Sequence, residues 1–145
     1  MKKFSFPLET ARRWRDRQAE IEEVRLQSLL AERQKIEERF VSLQAELDAE
    51  HRRIEDVSCH AGELARLDDF RIWVTRERER LKNSAAECEK RIGAQRAALI
   101  EARRRFQLVD RLKEKALLDW THASAKEQED LAAELYLARL SRRGR

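Results

Sequence analysis

Apolar residues in this chain recur at alternating steps of three and four, and that spacing leaves few folds open. One series runs Leu26, Leu29, Arg33, Ile36, Phe40, Leu43, Leu47, Glu50, Ile54 and Val57, with eight of ten apolar. A second runs Leu67, Arg71, Val74, Arg78, Leu81, Ala85, Cys88, Ile92, Gln95, Leu99, Ala102, Phe106, Val109, Lys113, Ala116 and Trp120, with twelve of sixteen apolar. This spacing draws one narrow stripe along an α-helix, and such a stripe is buried only against another helix of the same kind.

The texture breaks between the two series at Val57-Ser58-Cys59-His60-Ala61-Gly62, where Gly62 offers a left-handed backbone position for a turn. Pro7 marks the start of the first helix, because proline is tolerated in the first turn. Gly93 falls inside a strongly periodic stretch and does not break it. The expected architecture is all-α, a long two-helix antiparallel coiled-coil hairpin: one helix over about 8–57, a bend over about 58–64 and a second helix over about 65–141. At 1.5 Å per residue the helices would be roughly 75 Å and 115 Å long, so about 121–141 would overhang. Before Leu26 the apolar pattern loosens to Leu8, Ala11, Trp14, Ile21 and Val24, as if this segment served a partner as well as its own hairpin.

Composition removes the alternatives. Of 145 residues 41% are charged, far above the roughly 25% of an ordinary globular domain. Three Gly and one Pro cannot furnish the turns of a many-stranded sheet. Disordered chains of this charge are poor in regularly placed Leu, Ile, Val and Phe, which are plentiful here. Residues 1–35 hold 9 basic and 6 acidic side chains, 36–100 hold 12 and 14, and 101–145 hold 11 and 8. An antiparallel hairpin with these charges is basic where its ends meet and mildly acidic toward the bend, which would orient it on an acidic partner. The N-terminus has no apolar run of the kind a signal peptide needs, and no stretch suggests a membrane span, so a cytosolic protein without direct membrane insertion is expected. Cys59 and Cys88 are then read as free thiols.

Sequence chemistry argues against an enzyme. There is no glycine-rich phosphate loop, HExxH or GxSxG, and a two-helix hairpin offers no enclosed pocket; no cofactor is expected. Cys59, His60, His51 and Cys88 invite a zinc reading, but adjacent helical residues point about 100° apart and Cys88 lies on the apolar stripe. Arg12-Arg13-Trp14-Arg15, Arg103-Arg104-Arg105 and Arg142-Arg143 suggest phosphate contacts. Acids are interleaved throughout and the net charge is only +4, so solvated helix faces are the better reading and no nucleic acid is expected. Trp120 lies on the stripe, whereas Phe70, Ile72 and Trp73 put apolar surface on more than one helix face, which marks Phe70–Val74 as an interaction patch.

The opening Phe4-Ser5-Phe6-Pro7-Leu8-Glu9-Thr10 resembles the N-terminal signature of the FliJ-type flagellar export coiled-coil proteins. A second resemblance lies in Arg103-Arg104-Arg105-Phe106-Gln107-Leu108-Val109-Asp110-Arg111-Leu112-Lys113-Glu114-Lys115, followed by Trp120 and Glu127-Gln128. Membership would imply a non-enzymatic, stalk-like hairpin at the cytoplasmic face of the inner membrane. Its partners would be the hexameric ATPase of the flagellar type III export apparatus, the membrane export gate and export chaperones. By alignment, gate contact would fall to Leu43, Phe70, Val74 and Leu81, with Trp73 beside them. The ATPase ring would take Arg12, Arg13, Trp14, Arg15, Arg103, Arg104 and Arg105. A generic scaffold coiled coil or a virulence secretion stalk is the competing expectation.

Overall fold

The computed structural model describes the backbone of residues 3–56 and 61–143. It holds two α-helices, α1 (Glu9–Asp56) and α2 (Ala61–Arg143), and no strand among the described residues. The protein is all-α, with α1 and α2 packed antiparallel as a coiled-coil hairpin. Pro7 and Leu8 form the turn into α1, where the Glu9 amide donates to the Phe6 carbonyl at 3.2 Å and the Arg12 amide to Leu8 at 2.9 Å. Glu9 in the first turn of α1 and Arg53 in its last oppose the helix dipole with the favourable sign, as does Glu63 in the first turn of α2.

The bend is shorter than the sequence suggests. Ala61–Leu64 belong to α2, and among the described residues no glycine has positive φ, so Gly62 does not make a left-handed turn. A first-turn position tolerates Gly because the opening amides of a helix lack intrahelical acceptors in any case. Val57, Ser58, Cys59 and His60 lie outside the described residues.

By contacts the chain divides into two units, residues 20–100, and residues 1–19 with 101–145. In the first, antiparallel register is fixed by Glu22 with Gln95, Leu29 with Cys88, Glu32 with Arg91, Arg33 with Glu89, Phe40 with Arg78 and His51 with Arg71, pair numbers totalling 117 to 123. Its core is Leu43, Ile54, Leu67, Val74, Leu81, Cys88, Ile92 and Leu99, all buried. The nine described members of the first stripe are buried or half-buried, and so are fifteen of the sixteen in the second; Arg71 is the exposed one. Two polar residues on the stripes are matched across the helices: Arg33 meets Glu89 at 2.8 Å and Gln95 donates to the Glu22 carbonyl at 3.0 Å. The Arg78 guanidinium lies 5.4 Å from the Phe40 ring centroid, and its buried Nε has no hydrogen-bond partner.

The terminal unit keeps an antiparallel register, with Phe4 against Trp120, Glu9 with Lys113, and Arg12 with Asp110 and Phe106, pair numbers totalling 118 to 124. Its packing is of another kind. Ala19 is its one buried hydrophobic residue among those described. On the α1 side Glu9, Arg12, Arg15, Gln18 and Ala19 are buried or half-buried, while Leu8 and Trp14 point outward, 45% and 53% exposed. In the 20–100 unit Ile21 and Val24 are likewise exposed, and Glu22 takes the inward position. The loosened apolar pattern before Leu26 is therefore an outer-face pattern, and the 3-4 seam runs on beneath it through mostly polar residues.

Candidate partner-binding surfaces

Two groups of side chains carry the candidate contacts, one in each unit. In the terminal unit Glu9 is the hub. Lys113 Nζ reaches its carboxylate at 2.8 Å, and the Arg12 and Arg13 guanidinia approach at 3.5 Å each. The Lys113 hydrogen bond, with the charges of Arg12, Lys113 and Arg13, holds the Glu9 carboxyl below the usual carboxylate range, against a smaller desolvation effect. Arg12 also pairs with Asp110 at 3.6 Å and lies 5.7 Å from the Phe106 ring centroid, so its charge is spent within the seam.

Arg13 and Trp14 are exposed, and the guanidinium of the half-buried Arg15 stacks 4.7 Å from the Trp14 ring centroid. Arg103, Arg104 and Arg105 are exposed as well, Arg105 pairing with Glu101 at 2.9 Å within α2. Because Arg12 lies on Phe106, the two basic runs are level with each other across the hairpin, although they are some ninety positions apart in sequence.

In the other unit the proposed gate residues separate into two kinds. Leu43, Val74 and Leu81 are 0%, 1% and 8% exposed and fill the helix seam, so their first role is packing. Phe70 and Trp73, one helical turn apart, stack with ring centroids 5.6 Å apart at 22°; Trp73 is exposed and Phe70 half-buried. Ile72 and Leu64 are also exposed in this unit. A surface aromatic pair on a helix face is the composition that anchors protein partners.

The groups offered as metal ligands are engaged otherwise. Cys88 is buried, and its thiol donates to the Leu29 carbonyl at 3.5 Å. His51 Nδ1 lies 3.0 Å from the Leu47 carbonyl and its Nε2 accepts from Arg71 Nε at 3.1 Å. Cys59 and His60 are outside the described residues. No helix among the described residues is long and apolar enough to cross a membrane.

Known protein families, curated proteins and solved structures yield no match to this chain. The candidate surfaces accordingly rest on geometry and on residue chemistry alone.

What sequence reasoning missed is the charged seam of the terminal unit. The signal was present: stepping backward from Leu26 by four and three reaches Glu22, Ala19, Arg15 and Arg12, a series whose polarity hid it behind the more apolar residues of the outer face. The Phe4–Trp120 contact, centroids 5.9 Å apart, was likewise not anticipated.

Proposed function

We propose that this chain is a non-enzymatic stalk of a flagellar type III protein export apparatus, binding the hexameric export ATPase through its terminal unit and the membrane export gate through the Phe70–Trp73 face. The observation that carries this reading is an all-α antiparallel hairpin combined with the Phe4–Thr10 opening, whose Phe4 packs on Trp120 and whose Glu9 is clamped by Lys113. Both residue runs that resemble the family thus meet in one unit.

In this reading Arg13, Trp14, Arg15, Arg103, Arg104 and Arg105 face an acidic ring surface, with Arg12 holding the seam from which they project. Phe70 and Trp73 supply the gate contact, while Leu43, Val74 and Leu81 act through the packing that sets the helix faces. Export chaperones are further partners, and the place of action is the cytoplasmic face of the inner membrane at the flagellar base. The test is purification with a flagellar export ATPase from the same organism. The ATPase rate or the hexamer fraction should rise on addition of this chain, and should rise less with Arg13→Glu, Arg104→Glu and Arg105→Glu combined. No binding and no effect on either quantity would refute the reading. The exposed Leu108, Leu112 and Leu118 favour a second reading, an oligomeric scaffold or a virulence secretion stalk, which would appear as a stable oligomer indifferent to the flagellar ATPase.

A further inference from the structure

Beyond Trp120, α2 continues for more than six turns with nothing of α1 opposite it. α1 begins at Glu9 behind Pro7, and Phe4 reaches no further along α2 than Trp120. Every residue from Ala125 to Arg142 is exposed, including Leu131 at 54% and Leu135 at 65%. On a straight helix of 3.6 residues per turn the face of Trp120 continues, though no longer at alternating threes and fours, through Ser124, Glu127, Leu131, Leu135 and Ala138 to Arg142. The same helix face thus runs on after its intramolecular partner has stopped.

We infer that residues 126–143 pair antiparallel with the same segment of a second copy of this chain. Charge selects that occupant. The stripe carries Glu127 at one end, Arg142 at the other and Leu131, Leu135 and Ala138 between them, so it is complementary to its own reverse. About a point between Glu134 and Leu135, Glu127 of each copy falls opposite Arg142 of the other, and Leu131 opposite Ala138, each twice. The flanking charges repeat the pattern. Residues 126–134 contain Lys126 against Glu127, Glu129, Asp130 and Glu134, while 135–143 contain Arg139, Arg142 and Arg143 and no acid. A parallel copy would set acid on acid and arginine on arginine. Neither Glu127 nor Arg142 has an ion-pair partner among the described residues of its own chain, so both ends of the stripe are available. Three apolar positions per copy make a small interface, and the association is therefore reversible and weak.

The inference is independent of the export reading and is tested on the full chain alone. Sedimentation across roughly 10–500 µM should show a monomer–dimer equilibrium. Leu131→Ala with Leu135→Ala should abolish it with helical content kept. Glu127→Arg places two like-charged pairs in the dimer, as does Arg142→Glu, and each variant alone should weaken association by about tenfold. Mixing the two variants should restore pairing, as should combining both changes in one chain. A monomer at every concentration overturns the inference, as does a dimer insensitive to the leucine changes or one whose charge variants fail to rescue each other.

Discussion

The sharpest test of the packing argument is Leu43→Ala set beside the pair Phe70→Ala with Trp73→Ala. The family resemblance places Leu43 and Phe70 on the candidate gate surface with Trp73 beside them, yet Leu43 is wholly buried while Trp73 is 44% exposed. Truncating Leu43 removes three buried carbons, about 2.4 kcal/mol at ~0.8 kcal/mol per group. A cavity penalty is added in a globular core, but a two-helix seam has water on both flanks and can close, which keeps the total at about 2–3 kcal/mol. If residues 20–100 unfold as one cooperative unit, each kcal/mol moves the midpoint by about 4–8 °C, so Leu43→Ala should melt roughly 8–24 °C lower. The aromatic pair loses mainly an exposed stacking contact, about 1 kcal/mol, and should shift the midpoint by roughly 4–8 °C. The assay is thermal unfolding followed by circular dichroism, with binding to the export gate measured well below both transitions. A Leu43→Ala midpoint within about 3 °C of the parent, together with lost binding, would refute the assignment of Leu43 to the seam. A drop from the aromatic pair as large as that from Leu43→Ala would place Phe70 and Trp73 in the core instead.

Three further outcomes follow from the same geometry. Gly93 lies mid-helix and an added Cβ would meet nothing within 4 Å, so Gly93→Ala should stabilise by about 0.5–1 kcal/mol in denaturant titration; destabilisation would reveal a crowded helix face. Cys88 should react with an aromatic disulfide reagent no faster than the surrounding helices open, and prompt labelling in native buffer would contradict its burial. Glu9 is held charged by Lys113, Arg12 and Arg13, so its lowered pKa contributes stability above the ordinary glutamate value near ~4.3 and that contribution is lost as pH falls through the lowered value. Hydrogen exchange of residues 9–19, corrected for intrinsic rates, should accelerate from about pH 5 to 3, and Glu9→Gln should flatten that dependence. An unchanged slope in Glu9→Gln would remove the carboxylate from the account.

The fold was legible because the stripe is a long-range signal: over residues 26–54 and 67–120 nearly every residue at a 3-4 step turns inward. The bend was less so. Gly62 looks like punctuation, but a glycine in the first turn of a helix is cheap, and local sequence does not distinguish that from a turn glycine. Residues 8–24 were legible only in part. The loosened apolar pattern suggests a segment shared between a partner and the hairpin, whereas the structure turns Leu8, Trp14, Ile21 and Val24 outward and gives the seam to Glu9, Arg12 and Glu22, opposite Lys113, Asp110 and Gln95. Cross-helix complementarity of that sort depends on register, and register is visible only once the partners are placed. The candidate gate residues divide the same way: Leu43, Val74 and Leu81 are stripe positions, which read identically whether they pack in a seam or meet a partner until burial decides, whereas Trp73 lies off the stripe and its exposure was legible.

The charged seam of the terminal unit has a calorimetric consequence. Heat capacity rises on unfolding in proportion to apolar surface newly wetted and falls with polar surface. Separating Glu9, Arg12, Asp110 and Lys113 wets little hydrocarbon, whereas parting Leu43, Val74, Ile92 and Leu99 wets a great deal. The stability of the terminal unit therefore varies almost linearly with temperature, while the 20–100 unit follows the usual curved profile. Salt, which screens exposed ions, should loosen this end more than it loosens the 20–100 unit.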